Sequence, residues 1–288
     1  MRWRRTDSSH YERRGGGGLG GIGLPVTAGG GVIGLLVLLA TVLLNGGGGG
    51  GAGGGFGDLL QDGAQAPGPE TEEDQFMEFL TEDIQGQWAD IFAQQGHSYS
   101  YATVNSFSGQ VSTGCGAASA AVGPFYCPVD SQVYLDLGFF DELKNRFDAP
   151  GDFAQAYVVA HEIGHHIQNL DGTSAQVRER EQSAGSEAEA NEWSVRLELQ
   201  ADCYAGVWAH TVAERSRQDG SDVALEDGDI EEGLAAAQAV GDDRLQEQAG
   251  VDVRPETWTH GSSDQRMRWF RTGYDSGDPA ECDTFSGS

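Results

Sequence analysis

The feature that most constrains this chain is a His-Glu-x-x-His sequence within residues 156–170, formed by His161, Glu162 and His165. On an α-helix, residues four positions apart lie about 40° apart around the axis, so both imidazoles face the same side. Two imidazoles at this spacing suit a zinc ion, and a glutamate beside them suits a general base. The sequence therefore predicts a helix here, with His161 and His165 as metal ligands and Glu162 as a catalytic residue.

The residues around this motif are typical of a helix that packs on one side. Asp152, which follows Pro150 and Gly151, is the predicted N-cap. His166 points about 140° away from His161, so we expect it to pack or to support the site from outside. Apolar side chains recur at helical spacing opposite the two histidines: Ala156, Val159, Ile163, Ile167 and Leu170.

A catalytic zinc site usually has three protein ligands and a water molecule, so one ligand is still missing. A second helix is predicted over residues 187–214, and its largely apolar surface carries two acidic residues one turn apart, Glu198 and Asp202. Their directions do not separate them, but the side chain of Glu198 is longer. We predict that Glu198 is the third ligand of one Zn²⁺ per chain, and that Asp202 accepts a hydrogen bond from a ligand histidine.

The N-terminal region is predicted to anchor the chain in a membrane. Arginines in residues 1–21 precede an uncharged run over residues 22–44, which is long enough to cross a hydrocarbon core of about 30 Å as a helix. Arginines before a span favour a cytoplasmic N-terminus. We therefore predict a cytoplasmic basic tail (1–21), a transmembrane helix (22–44), a glycine-rich flexible linker (45–69) and an extracytoplasmic domain (70–288). A cleaved signal peptide is the competing interpretation.

The formal net charge of −28 bears on the class of partner. Nucleic-acid binding requires a basic surface, so this class of function is excluded. We interpret the acidic surface as a solvated face that keeps the domain soluble. Attraction of basic peptides and adaptation to a salty habitat are the alternatives.

Four cysteines form an even set in a domain that is predicted to lie where thiols oxidise. Cys115 and Cys127 bracket a loop that contains glycine and proline, so we predict that they pair. Cys203 would then pair with Cys282 and tie the C-terminal tail to a helix. Zinc ligation by cysteine is the rival interpretation, but no C-x-x-C spacing is present.

The remaining segments predict an α+β domain that is mainly helical and has a small β-sheet. A helix is expected to begin near Glu70, and strands are expected over residues 99–104 and 132–137. Residues 171–186 are polar and predict a connection or an irregular helix. An edge strand beside the zinc helix would be able to pair with an extended peptide.

Several stretches together resemble the neutral zinc metallopeptidase family, whose members carry an N-terminal membrane anchor. They are HEIGHH, RLELQADCYAG, VSTGCGAASAAVGPFYCPVDSQVYLDLGFF and THGSSDQRMRWFRTGY, and the resemblance covers about residues 75–285. More widely, the chain is similar to gluzincins such as the CAAX prenyl proteases, which combine HExxH with E-x-x-x-D and with a His and an Arg six positions apart. The resemblance implies a zincin-like fold.

The same resemblance assigns roles to residues outside the HExxH helix. Glu198 and Asp202 match the E-x-x-x-D pair, and His260 and Arg266 match the later pair. His260 would be catalytic, as a donor to the developing oxyanion. The alternative for His260 and Arg266 is a loop that hydrogen bonds hold in place.

These observations predict a membrane-anchored zinc metallopeptidase that hydrolyses peptide or protein substrates outside the cytoplasm. Two alternatives remain open at this point. One is a non-catalytic, zinc-containing module that binds envelope proteins, although such a module would not need Glu162. The other is a zinc hydrolase of non-peptide amides.

Overall fold

The computed structural model describes residues 1–14, 69–119, 122–218 and 220–286. Its fold is mainly helical α+β with small sheets, which confirms the predicted class. The helices are α1 (Glu72–Gln94), α2 (Gly138–Asn145), α3 (Asp152–Leu170), α4 (Thr173–Ser183), α5 (Glu187–Ser216), α6 (Asp229–Ala239), α7 (Asp242–Gln248) and α8 (Ser263–Ser276). The strands are β1 (Arg2–Trp3), β2 (Tyr11–Arg13), β3 (Thr103–Phe107), β4 (Gln110–Thr113), β5 (Gly116–Ser119), β6 (Phe125–Cys127), β7 (Gln132–Asp136) and β8 (Val223–Ala224).

Helices α3 and α5 fall where periodicity predicts them, whereas two neighbouring segments differ from expectation. The strand expected over residues 99–104 is shifted to Thr103–Phe107, because residues 99–102 run outside the sheet. The polar stretch 171–186 contains a regular helix, α4, although it buries only Val177.

The main sheet has four strands in the order β2-β3-β7-β6. Strands β2, β3 and β7 are parallel, and β6 is antiparallel to β7. The predicted strand over residues 132–137 is therefore internal. The edge strand that packs beside the zinc helix α3 is β6, which periodicity did not identify because it has only three residues.

Residues 1–14 are folded onto the domain. Strand β1 pairs with β8 and β2 pairs with β3. The Trp3 ring lies 5.3 Å from Phe76 and 5.6 Å from Phe79, measured between ring centroids. The Tyr11 hydroxyl donates a hydrogen bond of 2.9 Å to Asp74 on α1. These contacts make the segment a part of the fold, whereas the predicted domain of residues 70–288 did not include it.

The docking also corrects the predicted topology of the first residues. A single membrane crossing between residues 14 and 69 would separate them from the domain, yet the structure has them in the same sheet. A cytoplasmic position for residues 1–14 together with an extracytoplasmic domain is therefore incompatible with this fold. The predicted span 22–44 and linker 45–69 lie outside the described residues. Within the described ranges, none of the helices combines the length and apolarity that membrane crossing requires.

Asp152 is the first residue of α3, not its N-cap. Gly151 occupies the cap position with φ 119°, which an L side chain rarely adopts. The Asp152 carboxylate instead accepts a hydrogen bond of 2.6 Å from the Met1 amino group, which also donates to Asp229 at 3.1 Å. An acidic group at a helix N-terminus is favoured by the helix dipole. Here the carboxylate also forms an ion pair with the amino group of Met1.

Both predicted disulfides are present in the structure. Cys115–Cys127 links the turn between β4 and β5 to the edge strand β6. Cys203–Cys282 links α5 to a short 3-10 helix near the C-terminus, Pro279–Cys282.

Helices α5 and α8 pack so closely that two glycines lie at their contact. A Cβ atom on Gly273 would lie 1.9 Å from the Cys203 carbonyl oxygen, and one on Gly206 would lie 2.0 Å from the Phe270 carbonyl oxygen. Backbone atoms at such distances cannot relax as a flexible side chain can. Glycine at these positions therefore lets α8 bring Arg266 to the centre of the domain.

We expect Gly273→Ala to lower the free energy of unfolding by about 3 kcal/mol or more, because the added methyl group forces the two helices apart. Gly86→Ala on α1 is the matched control, since a Cβ there meets no atom within 4 Å. That control should be neutral or stabilise by about 0.5–1 kcal/mol, through helix propensity. Chemical denaturation of both variants measures the difference, and equal stabilities would contradict the close packing.

Candidate metal centre

The predicted ligands come from two helices that lie in close contact. Helix α3 carries His161 and His165, and α5 carries Glu198. A Cβ on Gly164 would lie 3.1 Å from the backbone of Ala201, so the small residue allows α3 and α5 to approach at this level. The close approach places the carboxylate of Glu198 between the two imidazoles.

The distances among the three side chains fit a tetrahedral zinc site. The His161 Nε2 atom lies 3.2 Å from Glu198 Oε2, and His165 Nε2 lies 3.3 Å from Glu198 Oε1. One ligand atom from each residue falls within 4.8 Å of the others. Two ligands of a tetrahedral zinc ion, each about 2.0–2.1 Å from the metal, are about 3.3 Å apart. Each imidazole nitrogen thus lies at about this spacing from one of the two Glu198 oxygens, and the three side chains converge closely enough to share one ion.

The chemistry of the group also fits a cation. Glu198 is only 2% exposed, and a buried carboxylate needs positive charge nearby. Burial by itself would raise the pKa of Glu198, but the neighbouring His165 and His260 hold it well below its usual range. An ionised Glu198 with two imidazoles is a donor set that zinc accepts, and catalytic zinc sites commonly have three protein ligands.

Asp202 lies one turn after Glu198 and contacts the opposite ring nitrogen of His161. Its Oδ1 atom is 2.8 Å from His161 Nδ1 and accepts a hydrogen bond of 2.6 Å from the Tyr157 hydroxyl. Burial would raise the pKa of Asp202, but the Arg266 charge keeps it below its usual range. The two acids therefore contact different nitrogens of the His161 ring. Glu198 lies next to Nε2, whereas Asp202 lies next to Nδ1, where it fixes the tautomer of His161.

Arg266 is engaged by Asp202. Its Nε and Nη2 atoms each donate a hydrogen bond of 2.8 Å to the Asp202 carboxylate, and its Nη1 donates to the Val240 carbonyl at 3.3 Å. All three guanidinium nitrogens therefore have partners within the fold. Arg266 also lines the groove, where it is a buried counter-ion that holds Asp202.

His260 lines the same groove as the metal-binding group and is held by α7. The Asp242 carboxylate accepts hydrogen bonds from the backbone N–H groups of Thr259, His260 and Gly261, and its Oδ1 lies 3.3 Å from His260 Nδ1. Burial would lower the pKa of His260, but Glu198 and Asp242 raise it. Nδ1 faces Asp242, so Nε2 can donate towards the groove only when the ring is the doubly protonated imidazolium, the form that the two carboxylates favour.

Glu162 lies in this groove beside the two ligand histidines and is 7% exposed. Burial raises the pKa of its carboxyl group, an effect that the charges of His165 and His161 oppose. A carboxylate with a raised pKa accepts a proton more readily, which suits a general base.

The groove extends beyond the charged residues and has a cavity volume of about 430 Å³. Its remaining walls are mostly apolar and are formed by residues of several elements, among them β6, α2, α4 and α5. These residues are Val122, Pro124, Phe125, Pro128, Val129, Phe139, Val158, Val177, Leu197, Val240 and Leu245, with Arg178 and Glu181 of α4 among the polar exceptions. The site is therefore large enough for side chains of a ligand.

His166 does not face the metal-binding group, as expected from its direction on the helix. It is buried, its Nε2 donates a hydrogen bond of 2.6 Å to the Ser100 carbonyl, and its Nδ1 lies 3.1 Å from the Tyr126 hydroxyl on β6. Burial lowers the pKa of His166, and through its contact with Tyr126 the ring links α3 to the edge strand.

Sequence reasoning missed three residues that support the site. Tyr157 stands four positions before His161, and Gln168 stands three positions after His165, so both share the ligand face of α3. Their helical spacing could have identified them. Asp242 had no such signal, because it lies on a different helix from His260.

The sequence profile of the family described as "Putative neutral zinc metallopeptidase" matches residues 1–285. The chain belongs to this family. The match begins at residue 1, so it includes the N-terminal segment that the structure docks on the domain.

Two relatives illustrate the range of this metallopeptidase family. "Uncharacterized protein YpfJ" of Escherichia coli K12 is 42% identical over 294 residues, with full coverage of both chains. "Uncharacterized protein Rv2575" of Mycobacterium tuberculosis is 54% identical over 185 residues, which cover 62% of this chain and 61% of the relative. No solved structure matches the chain.

Proposed function

We propose that this member of the metallopeptidase family is a zinc-dependent peptidase that hydrolyses peptide bonds. The observation that carries the proposal is the convergence of His161, His165 and Glu198, whose ligand atoms lie within 4.8 Å of one another, with Glu162 in the same groove. Membership of the family supports zinc as the metal. Glu162 also argues against a module that only binds zinc, since metal binding does not require this residue.

The proposed mechanism follows from the positions of the side chains. His161, His165 and Glu198 would hold the zinc ion, which when bound would supply the Lewis acidity needed to activate water and to polarise the scissile carbonyl. Glu162 accepts the proton of the attacking water and later donates it to the leaving amine. His260, in its protonated form, donates from Nε2 to the oxygen that gains negative charge. Asp202, together with Tyr157 and Arg266, holds the His161 ring so that its Nε2 faces the metal.

The shape of the site supports an extended peptide as the substrate. Strand β6 is an edge of the main sheet, packs beside α3 and lines the groove through Phe125 and Tyr126. An edge strand can pair with a peptide through backbone hydrogen bonds, and the apolar walls can accept its side chains. We therefore propose a preference for large apolar residues next to the scissile bond.

Two disulfides support an extracytoplasmic location for the domain, because disulfides persist in oxidising compartments. Because residues 1–14 lie in the same sheet as the domain, we propose that this segment is on the extracytoplasmic side together with it.

Incubation of the zinc-loaded full-length protein with an unbiased peptide library tests this function. We expect cleavage beside large apolar residues that a chelator abolishes and added zinc restores, because the metal and the apolar groove both bind the substrate. Mass spectrometry of the products identifies the cleaved bonds. Zinc-loaded protein that captures peptides without cutting them would indicate a binding module, and turnover of simple amides alone would indicate a hydrolase of another class.

A further inference from the structure

A buried glutamine links the two helices that carry the metal-binding residues. Gln168 is fully buried near the end of α3, three residues after His165. Its Oε1 atom lies 2.9 Å from His165 Nδ1. Its Nε2 donates a hydrogen bond of 2.7 Å to the Leu197 carbonyl and one of 3.0 Å to Gln200 Oε1, both on α5. Gln168 thus contacts one metal-binding residue directly and the residue immediately before another.

These partners determine the orientation of the Gln168 amide. The Leu197 carbonyl and Gln200 Oε1 are both acceptors, so the NH₂ group must face α5 and the carbonyl oxygen must face His165. An acceptor at Nδ1 requires that this nitrogen carries the proton. The lone pair is then on Nε2 of His165, which is the atom that lies 3.3 Å from Glu198.

The hydrogen-bond chain continues to the C-terminal part of the protein. Gln200 Nε2 donates a hydrogen bond of 3.2 Å to the Cys282 carbonyl. Cys282 is itself joined by a disulfide to Cys203 on α5. The chain of contacts therefore runs from His165 through two amides to a covalently fixed backbone atom, which limits how far the amides can move.

We propose that Gln168 is a positioning residue of the metal centre: it fixes the tautomer of His165 and holds α5 at the level of Glu198. It performs for His165 the task that Asp202 performs for His161, with a neutral amide in place of a carboxylate. The inference rests on the proposed zinc site but not on peptidase activity, so zinc binding is the appropriate readout.

We expect Gln168→Met to weaken zinc binding by about 10 to 100-fold, the usual effect of losing a group that orients a ligand histidine. Methionine is similar in length and apolar, so the space remains filled while the acceptor and donors are lost. The zinc dissociation constant is measured by competition with a chelator, well below the melting temperature. The visible spectrum of the Co²⁺-substituted protein should change as well, because the His165 ring is no longer held.

Gln85→Met is the matched control. Gln85 is also fully buried, accepts a hydrogen bond of 2.7 Å from the Ala102 N–H and lies on α1, which carries none of the metal-binding residues. Both variants lose buried hydrogen bonds, so both should show a lower Tm in the metal-free form. Only Gln168→Met should show weaker zinc binding. Equal loss of zinc affinity in the two variants would make the effect one of general stability and overturn the proposal.

Gln168→Glu separates the two roles of the residue. A carboxylate keeps an acceptor for His165 Nδ1 but removes the donors to α5, so zinc affinity should recover most of the loss seen in Gln168→Met. Affinity as weak as that of Gln168→Met would refute the assignment of the acceptor role. Parent-like affinity in Gln168→Met would refute the positioning role as a whole. If the parent protein binds no zinc, the zinc site itself fails, an outcome that this series distinguishes from the other two.

Discussion

Replacement of Glu162 by Gln is expected to reduce peptide hydrolysis by at least about 100-fold, the lower range for the loss of a general base. The zinc content should stay near one ion per chain, because the ligand atoms come from His161, His165 and Glu198 and not from Glu162. Glutamine has nearly the same shape but cannot accept the proton of the attacking water. Cleavage of a library-derived peptide and zinc analysis of the same sample measure the two properties together.

The outcome distinguishes a base from a residue that supports the metal. Activity within tenfold of the parent would defeat the assignment of Glu162 as the base. Loss of zinc together with activity would indicate that Glu162 contributes to metal binding. Glu181→Gln on α4 is a suitable control, because Glu181 also lines the groove but is not one of the metal-binding residues. Its carboxylate accepts a hydrogen bond of 2.6 Å from the Ser194 hydroxyl.

Glu198→Ala is expected to remove most of the bound zinc and, with it, the activity. The substitution deletes the only carboxylate that the structure places within 3.3 Å of the Nε2 atoms of both His161 and His165, as judged over the described ranges. Two imidazoles alone leave a catalytic zinc site one protein ligand short. Zinc retained after dialysis against a weak chelator measures the effect.

Asp202→Asn provides the matching comparison on the same helix. We expect it to retain zinc with an affinity weakened by roughly 10 to 100-fold, because Asp202 contacts Nδ1 of His161 from behind the ring. It should also destabilise the fold by about 3 to 5 kcal/mol, since the buried Arg266 loses its counter-ion. A zinc-free Asp202 variant beside a zinc-loaded Glu198 variant would reverse the two assignments.

Local periodicity explains why much of the site could be predicted from the sequence. His161, Glu162 and His165 are close in the chain, and their side-chain directions follow from helical geometry alone. Glu198 and Asp202 stand out because acidic residues on a buried helix need partners. The disulfides followed from the even number of cysteines and their positions in the chain.

The parts that could not be predicted depend on contacts between distant segments. The engagement of Arg266 by Asp202 joins residues on α8 and α5, and it is possible only because Gly273 and Gly206 bring these helices together. The docking of residues 1–14 could not be predicted from the sequence either, because it too depends on contacts with distant segments. Arginines followed by an apolar run indicate a membrane anchor, whereas a two-residue strand such as β1 has no periodicity to detect.

The docked N-terminal segment also affects the order in which the domain can fold. Its contacts are among the most distant in the chain, since Met1 and Asp229 are 228 positions apart and β1 pairs with β8. Synthesis proceeds from the N-terminus, so residues 1–14 leave the ribosome long before these partners exist. Non-local strand pairing of this kind is slow, and charged residues on a short strand reduce its association with other chains in the meantime. Strand β2 can pair with β3 once the chain has reached residue 107, whereas the pairing of β1 with β8 and of Met1 with Asp229 is expected to be a late step.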